Sequence, residues 1–72
     1  MATERDGSAV LREDRRDLLE VVRMRFGEPE SDLLERVEGL SDAGVVQHLI
    51  LVAANEPYPR LLRELGLGAQ SL

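Results

Sequence analysis

Gly44-Val45-Val46-Gln47-His48-Leu49-Ile50-Leu51-Val52-Ala53-Ala54 is the longest apolar run of this chain, and its reading decides the fold. The valines and isoleucine would suit a strand, because β-branched side chains pack well on a pleated surface. Three features favour a helix: the length of the run, a capping serine at Ser41, and the absence of a second stretch for a strand to pair with. Asp42 adds to the helix start, where a carboxylate meets the positive end of the peptide dipoles. The predicted element covers about residues 42–55. A helix lying on one side of a small bundle needs an apolar stripe only about 100° wide. Val45, Val46, Leu49, Ile50, Leu51, Val52, Ala53 and Ala54 cover far more. The run is therefore expected to be the central spine of the fold, and the part its neighbours leave bare is expected to be an association surface. Each Leu or Ile left exposed forgoes about 1.5–3 kcal/mol.

Upstream, residues 1–8 hold no large apolar side chain after Met1 and are read as a flexible tail, with Ser8 as an N-cap. Ala9 to Phe26 contains no Gly or Pro. Leu18, Leu19, Val22 and Phe26 form a helical stripe in its second half, while Arg12 to Asp17 is charged all round. A first helix follows, anchored in its second half and protruding in its first. Gly27 and Pro29 stop it. A short second helix runs from about Pro29 or Ser31 to Glu38, with Leu33, Leu34 and Val37 as its stripe and Gly39 at its end. Downstream of the central run, Asn55-Glu56-Pro57-Tyr58-Pro59 breaks the helix, since the residue before a proline is biased away from helical angles. Pro59 suits the first turn of a last helix from Tyr58 to about Leu65, and residues 67–72 are read as a second tail. The fold class is all-α: one helical domain over residues 9–66, a compact bundle of three to four short helices.

Length and composition narrow the function. A chain of 72 residues is at most one domain of marginal stability, and with no cysteine it has no disulfide or Cys/His zinc site to draw on. Regular helix packing and oligomerisation are the remaining ways to stabilise it. No stretch reaches the roughly 18 apolar residues of a membrane span, and the charged start does not resemble a signal peptide, so a cytoplasmic location is expected and a membrane role is not. A net charge of −5 repels phosphate backbones, which disfavours a nucleic-acid partner. The second and third helices could be joined as a helix-turn-helix, but the third starts without an arginine and cannot be offered to a major groove.

Nothing in the chain assembles into a catalytic constellation. The hydroxyls of Thr3, Ser8, Ser31, Ser41 and Ser71 lie at helix starts or in the tails, without a base at helical spacing. His48 is the only residue whose ordinary titration falls near neutral pH, and it reads as a solvated helix residue. The carboxylate pairs Glu13 with Asp17, Glu28 with Glu30, Asp32 with Glu35 and Glu35 with Glu38 alternate with arginines as a charged surface does, without the glycine-bearing loop of a metal site. No cofactor, metal site or enzymatic activity is expected. Arg12, Arg16 and Arg23 can line one face of the first helix beside Glu13, Asp17 and Glu20, a mixed surface suited to protein partners. With Gln47, His48, Leu51 and Tyr58 they form the predicted partner interface.

From Arg25 to Ser41, "RFGEPESDLLERVEGLS" resembles a small helical domain of unknown function found at the C-terminal end of many Rpn/YhgA-like putative transposase-nucleases. The shared pattern is an arginine-rich helix ending in Arg25-Phe26-Gly27, a short proline-containing link at Pro29, a short helix ending in Arg36-Val37, and Leu40-Ser41 opening a leucine-rich helix. It covers about Leu18 to Leu65. Nothing before Ala9 resembles the nuclease domain of that family, so no catalytic residue carries over, and "NEPYPRLL" replaces its usual Ser-Leu-Glu-like opening of the last helix. "VVQHLILVAANEPYPRLLREL" is also similar in rhythm to the later helices of bacterial death-like or effector-associated adaptor domains, modules that join proteins by homotypic contact. Either resemblance implies an interaction module. The expected function is thus a non-catalytic, adaptor-like oligomerisation domain with a homotypic protein partner. A small acidic inhibitor or antitoxin-like protein covering a basic site is the alternative.

Overall fold

The apolar run folds as a helix. The computed structural model describes the backbone of residues 3–67 and the side chains of residues 9–67. Four helices follow in order, α1 (Thr3–Phe26), α2 (Ser31–Glu38), α3 (Ala43–Asn55) and α4 (Tyr58–Glu64), and no strand occurs among the described residues. The protein is a small all-α bundle.

Each helix contributes to one core. Leu18 and Val22 enter it from α1, Leu33 and Val37 from α2, Val46, Leu49, Val52 and Ala53 from α3, and Leu61 with Leu65 from α4 and its end. No polar side chain is buried among the described residues, so the centre is held by apolar burial and packing alone. The order of contacts fixes the helix directions. Asp14 of α1 meets Gln47 early in α3, and Arg25 near the end of α1 reaches Ala53 and Glu56 at the end of α3. These two helices therefore run parallel. The short α2 returns between them, and α4 turns back along α3, with His48 close to Glu64.

The first helix is longer than its apolar stripe. It begins at Thr3, so Ser8 lies within it and does not cap it, and residues 3–8 of the expected tail are helical in backbone. Leu11 is the first described side chain to pack against the core. The eight residues from Thr3 to Val10 add about 12 Å of helix at 1.5 Å per residue. Alternating charges at i, i+3 and i+4, together with good helix formers, can carry a helix past its packed part.

Two glycines end helices in the left-handed region. Gly27 has φ +99° and its N–H donates to the Val22 and Arg23 carbonyls at 3.2 Å. Gly66 has φ +78°, its N–H donates to Arg63 O at 3.0 Å, and the N–H of Leu67 donates to Leu62 O at 2.8 Å. This double closure is the Schellman arrangement. It takes Leu67, expected in the tail, into the fold as a partly buried residue packed on the core; the rest of that tail, residues 68–72, lies outside the described residues. A Cβ at Gly27 would meet nothing within 4 Å, so Gly27→Ala is expected to cost only the left-handed penalty, about 1–2 kcal/mol. Thermal unfolding of the variant followed by circular dichroism measures it.

The start of α3 is displaced by one residue from expectation. Asp42, not Ser41, is the N-cap: its Oδ1 accepts the N–H of Gly44 at 2.8 Å and of Val45 at 3.3 Å, and its carbonyl takes the first helical bond from Val46. Asp42→Ala should lose about 1 kcal/mol, whereas Ser41→Ala should leave the melting temperature unchanged. Equal losses from the two would contradict this cap.

Candidate interaction surface

The arginines of α1 divide by their angular position on the helix. Arg15 and Arg25 lie beside the core stripe of Leu18 and Val22 and turn towards the neighbouring helices. Arg15 donates from Nε and Nη2 to the Leu40 carbonyl at 3.0 and 2.6 Å, just past the end of α2. Arg25 donates from Nη1 to the carbonyls of Ala53 and Glu56 at 2.7 and 2.8 Å, where α3 ends. Both satisfy carbonyls that a helix end leaves without an intrahelical partner. They are structural clamps.

Arg12, Arg16 and Arg23, at i, i+4 and i+11, occupy the flank of α1 about a third of a turn further round. All three are exposed. Arg12 and Arg16 have no hydrogen-bond or ion-pair partner among the described residues, and Arg23 stands 3.6 Å from the exposed Glu28. The three share one flank of α1, with Glu13 and Glu20 exposed on the face beside them.

The remaining predicted residues do not join it. Gln47 and Leu51 face outward from α3 on the opposite flank of α1, where Gln47 Nε2 donates to Asp14 Oδ2 at 3.1 Å. His48 lies on the side of α3 nearer α4, with Nε2 3.6 Å from Glu64 Oε1; Glu64 also accepts from Arg60 Nε at 3.2 Å. Ion pairs this exposed contribute little. Tyr58 opens α4 and packs its ring on Phe26, with centroids 4.9 Å apart, while the Arg25 guanidinium covers the Phe26 ring at 4.7 Å. Partial burial, helped by the nearby Glu30 carboxylate, raises the Tyr58 phenol above its ordinary value. Tyr58 is thus a joint between α1 and α4, and the seven predicted residues lie in four places.

The apolar run is bare on more than one side, at Val45, which is 43% exposed, and at Leu51. Leu51 is 62% exposed, and Ala54 is exposed beside it; the run is enclosed on only part of its circumference, by α1 and α4. Asp14 and Gln47 set the register of the two parallel helices. One heptad further, about 10.5 Å along both, Val21 comes level with Ala54. Met24, three residues past Val21, is 81% exposed. Met24 and Leu51 are thus exposed on adjacent helices, and Val10 at 45% and Val45 at 43% are exposed elsewhere on the same two helices. Met24 was not among the predicted interface residues. Its sequence signal is its position off the Leu18–Val22 stripe, which places a large apolar side chain away from the core.

Elsewhere the surface offers little chemistry. An open depression of about 320 Å³ lies between Asp32, Glu35, Arg36, Gly39, Leu40 and Leu67, without a nucleophile and base in reach of each other. No group of three or more His, Cys, Asp or Glu among the described residues is placed to hold a metal ion. No helix among them is long and apolar enough to cross a membrane. Comparison with protein-family models, with curated proteins and with solved structures finds no match to this chain in any of the three.

Proposed function

We propose that this chain is a non-catalytic helical module that works by association with copies of itself. The observation that carries the reading is the exposure of Met24 and Leu51 on adjacent parallel helices, although the core beneath is complete without them. Large apolar side chains this exposed are candidates for contact with a partner, and methionine adapts readily to a partner surface.

Light scattering over a micromolar concentration series tests this. The weight-average mass should rise above the 8.0 kDa of one chain, and Leu51→Arg combined with Met24→Arg should return it to one chain with the helical circular dichroism unchanged. A strict monomer at every concentration for the unaltered chain would remove the proposal.

A further inference from the structure

We draw no further inference here: the strongest candidate, the surface of α1 and α3 that bears the exposed Met24 and Leu51, belongs to the site already described, and nothing in the structure shows what covers it.

Discussion

Leu18→Ala is expected to remove much of the stability of this protein. Leu18 is fully buried at the centre of α1 and is among the largest side chains of the core. Truncating a leucine in such a place costs about 2–5 kcal/mol, part lost transfer energy and part cavity. A chain of this length has only about 4–11 kcal/mol in total, at roughly 0.05–0.15 kcal/mol per residue. The melting temperature should fall by about 8–40 °C, at roughly 4–8 °C per kcal/mol for a domain of this size. The neighbouring Leu19, half-buried on the rim of the core, gives the internal control: Leu19→Ala should shift the melt distinctly less. Circular dichroism melts of the two variants and the parent decide the matter, and equal shifts would place the centre of the core elsewhere.

Arg25→Met should give the largest loss from any surface side chain. The substitution keeps an apolar stem of similar reach and removes the guanidinium, so the carbonyls of Ala53 and Glu56 lose a charged donor. Hydrogen bonds to charged groups are worth about 1.5–3 kcal/mol. The guanidinium remains open to water, which places the expected total near 1–3 kcal/mol for both bonds together. The loss has a location as well as a size. Amide exchange of Glu56, whose N–H donates to Val52 O at the end of α3, should accelerate more than that of Leu34 in α2. A uniform acceleration along the chain would mean that Arg25 contributes to global stability without holding this particular turn.

The helical class, the ends of α2 and the glycine stop after Phe26 are legible in the sequence, because local chemistry decides them. Gly27 must adopt positive φ wherever the chain goes next, and Leu33 and Val37 can face only one way on an eight-residue helix. The N-terminal extent of α1 is not legible from hydrophobic pattern: a charged helix with no apolar stripe looks like a tail until its backbone is seen. Ser41 and Asp42 are both good caps, and the choice between them depends on where the chain leaves α2. The roles of Arg15 and Arg25 carry no local signal at all, since their carbonyl partners lie 25 to 31 residues away. Nine arginines look alike in the sequence. Only the packing of α1 against two helix ends separates the clamps from the free flank. The apolar surplus of α3 is visible from the start, and the exposure of Met24 follows from its place off the Leu18–Val22 stripe.

The length of α1 also governs how the molecule moves in water. With principal extents of 48 × 23 × 19 Å the particle is a short rod, about twice as long as it is wide. It spins readily about its long axis and turns end over end more slowly, and the amide bonds of α1, lying along that axis, report the slower motion. A single chain will therefore leave a sizing column early and relax in a magnetic field as a heavier sphere would. Its drag alone imitates a second copy, and only a direct measure of mass separates shape from assembly.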